Sequence, residues 1–163
     1  MDKRIARSIS LCLALFLAAI SVTTANAQGL RPAIGARTGF SVDPDQFTIG
    51  IQSQLGSFSI GRFAPSVDFG FGNDLTVTAF NLDVQASLLS FPGSSTSIYG
   101  GAGPTLSILS PEGRGSDTEI GFSLVAGLKM PFSPLNYYNV EARFGFGDIP
   151  DFKLLVGAMI GLK

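Results

Sequence analysis

The sequence contains no histidine and no tryptophan, and its only cysteine, Cys12, lies close to the N-terminus. The missing histidine excludes Ser–His–Asp and Cys–His nucleophiles and histidine-ligated metals, and a lone cysteine excludes zinc–thiolate sites. Charge is also scarce. Charged residues make up 14% of the chain, against the ~25% usual in soluble domains. No basic patch points to nucleic acid. A chain this poor in charge would leave much apolar surface facing water, whereas a surface that meets lipid has no such cost.

The apolar stretch near the start is short. Lys3, Arg4 and Arg7 precede Leu11 to Ile20, and Ala25-Asn26-Ala27 offers small residues at the cleavage positions. This is the pattern of a cleavable signal peptide helix spanning residues 1–27; the apolar run falls below the ~20 residues of a membrane-spanning helix. Cleavage would leave residues 28–163 as one domain without cysteine, with eight basic and eleven acidic residues.

What the remainder does contain is alternation. Tyr138, Val140, Ala142, Phe144 and Phe146 share one parity, against Tyr137, Asn139, Glu141, Arg143 and Gly145. After Gly147-Asp148-Ile149-Pro150-Asp151, the pattern resumes with Phe152, Leu154, Val156, Ala158, Ile160 and Leu162. A period of two marks strands whose faces meet different surroundings. The same period predicts six earlier strands, about 30–42, 46–55, one ending in 66–71, 75–89, 97–109 and 118–130. A parity change near Gly61 predicts a bulge or loop in the third. Pro104 lies inside the fifth, where it cannot donate to a ladder, and makes that strand the least secure.

Eight strands joined by short turns predict an all-β antiparallel meander, and an even number lets it close and lose its edges. In lipid, closure is obligatory. The reading is an eight-stranded antiparallel up-and-down transmembrane β-barrel. Periodicity does not say which face is inside, and a soluble lipocalin-like barrel would turn its apolar face inward around a ligand. The polar face, however, is mostly Gly, Ser, Thr, Gln and Asn. Its charges balance: Arg37, Lys129, Arg143 and Lys153 against Asp68, Asp83, Glu119 and Glu141. Four of each sign suit a narrow lumen, where an unpaired charge is costly, and small residues between them would let long side chains cross.

With a signal peptide, eight alternating strands and a glycine-rich, charge-paired interior, the chain resembles the small outer-membrane β-barrels of Gram-negative bacteria, the OmpA/OmpX-like superfamily. The resemblance covers the whole mature chain and is one of pattern; Tyr99-Gly100-Gly101-Ala102-Gly103-Pro104 is similar to a glycine-rich strand of such barrels. It implies export to the outer membrane, contact with outer-membrane lipid and lipopolysaccharide, handling by the barrel-assembly machinery, and a monomer without cofactor. One departure is plain. Such proteins usually end in an aromatic residue, whereas this chain ends Ile160-Gly161-Leu162-Lys163.

Glu141 with Arg143, or Asp83 with a lumen base, could be drawn as a catalytic pair, but on strands facing a packed interior they read as structural ion pairs. Gly101-Ala102-Gly103 has no following helix to make a phosphate loop. Asp43, Asp45, Asp74, Glu112, Asp117, Asp148 and Asp151 fall on four connections that share one rim, relieved by Arg114, while Arg31, Arg62 and Lys163 lie near the other. Aspartate is favoured in turns for local hydrogen bonds; alternatively this acidic rim gathers divalent cations that bridge to lipopolysaccharide. The expected function is a non-enzymatic barrel for envelope integrity or surface interaction, with a charge-plugged lumen. A narrow pore for small ions and a soluble periplasmic barrel binding a lipid are the alternatives.

Overall fold

The computed structural model describes residues 32–58, 61–72, 75–94, 96–113 and 115–162. The expected signal peptide, Arg31, Asp74, Arg114 and Lys163 lie outside the described residues. Eight strands follow in order: β1 (Ala33–Val42), β2 (Gln46–Phe58), β3 (Gly61–Gly72), β4 (Leu75–Ser90), β5 (Ser97–Pro111), β6 (Asp117–Pro131), β7 (Asn136–Gly147) and β8 (Phe152–Gly161). Each pairs antiparallel with its neighbours, and β1 closes the barrel on β8 through ten partners from Ala33↔Gly161 to Val42↔Phe152. Every strand then has two neighbours and no ladder edge is left open.

The alternation resolves into an inside-out arrangement. Ile34, Phe40, Ile49, Phe69, Leu82, Leu124, Leu154 and Val156 point outward and are exposed, Phe40 by 66%. The intervening polar residues, from Arg37 and Thr48 to Asn139 and Lys153, are buried. This is the face assignment of a barrel in lipid, and it is opposite to that of a lipocalin, whose apolar face lines the cavity. Outward aromatics gather toward the rim of the β1–β2 turn, with Phe40 edge-on to Phe47 at 5.7 Å and Phe144 against Phe152 at 5.2 Å. At the other rim Phe132 stacks on Tyr138 at 4.4 Å. Two such bands are the girdles found at the interfaces of membrane barrels.

Two irregularities give the expected disturbances their exact form. Near Gly61, where a bulge or loop is expected, β2 ends at Phe58 and β3 begins at Gly61, and the register shift lies just before, on β2 between Leu55 and Phe58. Gly56 there has φ +57°, a conformation that glycine adopts without steric cost. Pro104 interrupts a ladder, as expected, without ending β5. Its ring faces outward and it pairs with Phe122 on β6, while the β4–β5 ladder lapses at Leu82 and Asp83 and resumes at Val84↔Ala102. The missing N–H therefore falls where that ladder makes no pair.

Candidate functional site

Inward positions of five strands converge on one chain of charges across the lumen. Arg37 of β1 reaches over the glycine position Gly50 of β2 to Asp68 of β3. Its Nε donates to Oδ1 at 2.7 Å and its Nη2 to Oδ2 at 2.8 Å. Nη1 donates to Glu141 Oε1 of β7 at 3.1 Å, and the same oxygen accepts from Arg143 Nη2 at 3.2 Å. Arg143 turns its fork toward Asp83 of β4, with Nη1 donating to Oδ1 at 3.1 Å and Nη2 to Oδ2. Lys153 Nζ of β8 completes the set 3.6 Å from Asp68 Oδ2. Acids and bases alternate along this chain, and three of each leave it neutral. All six side chains are almost wholly buried.

Neutral groups satisfy most of what the charges leave open. Glu141 Oε2 accepts from Tyr99 OH at 3.0 Å and from Gln85 Nε2 at 3.4 Å. Asn81 Nδ2 donates to Asp68 Oδ2 and to Ser66 Oγ, each at 3.1 Å, and Arg37 Nη2 also donates to Ser66 Oγ at 2.8 Å. Gln52 and Asn139 exchange a reciprocal pair at 3.0 and 3.2 Å. Such multiply bonded pairs are the condition under which buried charge is tolerated. Small residues supply the room. A Cβ at Gly127 would overlap the Tyr99 ring, and one at Gly157 would overlap the Gln52 amide.

Arg37, Asp68, Asp83, Glu141, Arg143 and Lys153 thus meet in one network, whereas Glu119 and Lys129 do not join it. Both have the inward parity but sit near opposite ends of β6, beyond the level of the other six. Glu119 makes no ion pair among the described residues. Lys129 instead places its Nζ 3.7 Å from the centre of the Tyr137 ring. Tyr99, Gln85, Asn81, Gln52 and Asn139 complete the network; they share the parity of the charges, which is the signal by which the sequence marks them.

Past Tyr137, at the rim where β1 begins and β8 ends, the lumen widens into a vestibule of about 490 Å³. Arg62 and Lys129 line it together with Ser and Thr hydroxyls. At the opposite rim Asp43, Asp45, Glu112, Asp117, Asp148 and Asp151 hang on separate turns or strand ends. Among the described residues no three carboxylates converge into a metal-binding group. The turns there serve closure: Asp151 N donates to the Asp43 carbonyl at 3.3 Å, and Ile149 is buried over Gly121 and Gly145.

No protein-family model matches the chain, and no curated protein sequence is significantly similar to it. Solved structures do share its shape. The N-terminal β-barrel domain of Pseudomonas aeruginosa OprF superposes with a TM-score of 0.68 at 16% identity, covering 83% of this chain and 100% of that domain. Neisserial surface protein A (NspA) gives 0.66 at 15% identity, covering 84% and 99%. A de novo designed transmembrane β-barrel gives 0.52 at 16% identity, covering 84% and 100%. The fold of this chain is accordingly that of the small eight-stranded transmembrane β-barrels.

Proposed function

We propose that the chain is a non-enzymatic β-barrel of the bacterial outer membrane, with a structural role in the envelope or at the cell surface and a lumen closed to solutes. The observation that carries this reading is the neutral charge network crossing the lumen at mid-height inside an apolar exterior. Its carboxylates are engaged by arginine forks and Tyr99, which leaves them unsuited to act as a base or nucleophile. The likeness to the OprF domain and to NspA, a surface protein by its name, supports the outer membrane as the location. Contact with lipopolysaccharide, passage through the barrel-assembly machinery and a monomeric state belong to the same reading.

Recordings in planar lipid bilayers test it. The refolded mature chain is expected to show no discrete conductance steps, because a continuous file of side chains bars the lumen. Regular steps of a fixed size would support the narrow pore instead. Membrane fractionation supplies the second test: recovery in the soluble periplasm without detergent would refute the location.

A further inference from the structure

The vestibule at the rim where β1 begins and β8 ends has a chemistry the rest of the described barrel lacks. Among the described residues its wall carries two cationic side chains, Arg62 and Lys129, and no acidic side chain. Arg62 Nη1 donates to Gln54 Oε1 at 2.9 Å, which orients the guanidinium without neutralising it. Lys129 leans on the Tyr137 ring and has no acidic partner among the described residues. Ser87, Ser90, Ser94, Thr96, Ser97 and Ser133 add hydroxyl donors around the same space. The Tyr137 hydroxyl is itself buried with no hydrogen-bond partner among the described residues. The sequence sharpens the contrast: residues 53–58, 61–63, 86–94, 96–99 and 128–138, which form this end of the wall, contain no aspartate or glutamate.

Like charges that converge without a counter-charge are held at a cost, and a lipid-walled, low-dielectric mouth raises that cost. A bound anion removes it. Cations with hydroxyl donors are the set that recognises phosphate oxygens; lysine acts as a point charge and arginine as a directional fork. The volume exceeds what a bare phosphate needs and falls in the range of small-ligand pockets.

We propose that this vestibule binds a phosphate-bearing anion, held by Arg62 and Lys129 with the serine and threonine hydroxyls around it. The phosphate group is shared by soluble phosphate and by the headgroup of an anionic phospholipid at the same rim, and the experiment separates the two. Binding here does not depend on the closed lumen or on the identity of the membrane, so it can fail or hold independently of the function proposed above.

The test uses the mature chain refolded in micelles of a sugar-headgroup detergent, which contributes no phosphate, at low ionic strength. Amide NMR shifts of Ser97, Lys129 and Asn136 are followed during titration with inorganic phosphate in one arm and short-chain phosphatidylglycerol in the other. Saturable shifts confined to the vestibule with phosphate support the site and show that the bare anion suffices. Saturation with the lipid alone supports it and assigns the headgroup. Shifts that fail to saturate in both arms overturn it. Arg62→Gln and Lys129→Gln are each expected to weaken binding about tenfold, the effect of removing one charge-assisted contact. Glu119→Gln, at the opposite rim, is expected to change nothing. Unaltered affinity in a folded Arg62→Gln barrel overturns the assignment, and since Arg62 is only half-buried, that variant remains informative if Lys129→Gln fails to fold.

Discussion

Glu141 is the point where the two arginines of the lumen meet, and Glu141→Gln tests whether the network stabilises the barrel or merely fills it. The substitution keeps the shape of the side chain and removes one charge. It leaves Arg37 paired with Asp68, and Arg143 paired with Asp83, but the total becomes one positive charge in excess. The two nitrogens now sharing Oε1 sit 3.1 and 3.2 Å from it, so they lie within about 6 Å of each other, and at an effective dielectric of ~20 their repulsion is about 3 kcal/mol. This agrees with the ~3–5 kcal/mol lost when one partner of a buried ion pair is removed. Against a total stability of roughly 5–15 kcal/mol, that is a large fraction.

With no tryptophan to report on folding, the assay is urea unfolding in phosphatidylcholine vesicles, read from heat-modifiable migration on gels and from circular dichroism. A second substitution makes the reasoning sharper. Arg37→Gln together with Glu141→Gln leaves Asp83 with Arg143 and Asp68 with Lys153, a neutral set in which each charge keeps a partner. The double variant is expected to be more stable than the sum of the single losses by about 2–3 kcal/mol, a coupling of the size seen within one network. Additivity to within about 0.5 kcal/mol, or a loss below about 1 kcal/mol for Glu141→Gln alone, would refute the electrostatic account.

Gly127→Ala drives a methyl group into the Tyr99 ring and is expected to cost about 1–3 kcal/mol by overpacking, with partial recovery when Tyr99→Ala is added. The same urea titration reads both. Val156→Lys, which replaces an outward residue near the middle of β8, is expected to cost about 2–4 kcal/mol in vesicles, and Ile120→Lys near the rim of β6 only about 0–1 kcal/mol. Equal, near-zero costs at the two positions would mean that this face meets water.

Much of the architecture is legible in the sequence because a strand has a period of two and lipid permits only closed sheets. Which charged residues face inward follows from parity alone, and Tyr99, Asn81 and Gln85 could have been added on the same ground. Depth is different. Glu119 and Lys129 share the inward parity, yet their height in the barrel depends on register, which parity does not report. Register is decided by pairs such as Leu109↔Asp117 and Ser97↔Lys129. Partnership across the lumen is hidden for the same reason: Arg37 finds Asp68 two strands away and Glu141 through the closing seam. The bulge is legible only as a disturbance, since a parity change near Gly61 does not reveal that the extra residue is accommodated on β2 at Gly56.

The closing hairpin shows why such a lumen also specifies the fold. In its native register Arg143 lies directly opposite Lys153, and like charges facing one another across a strand pair are unfavourable. A slip of two residues would keep every side chain on its proper face and set Lys153 opposite Glu141, a better match for the hairpin alone. Hydrophobic patterning cannot forbid that slip, because it forbids only odd ones. In the native register Asp68 from β3 takes Lys153 and Asp83 from β4 takes Arg143, which offsets the like-charge pair and adds to the turn bond from Gly145 N to the Asp151 carbonyl. Those carboxylates are in place only once the barrel has closed. The charge network therefore acts as a register check that operates across the lumen, which ties the pairing of the last two strands to the presence of the strands facing them.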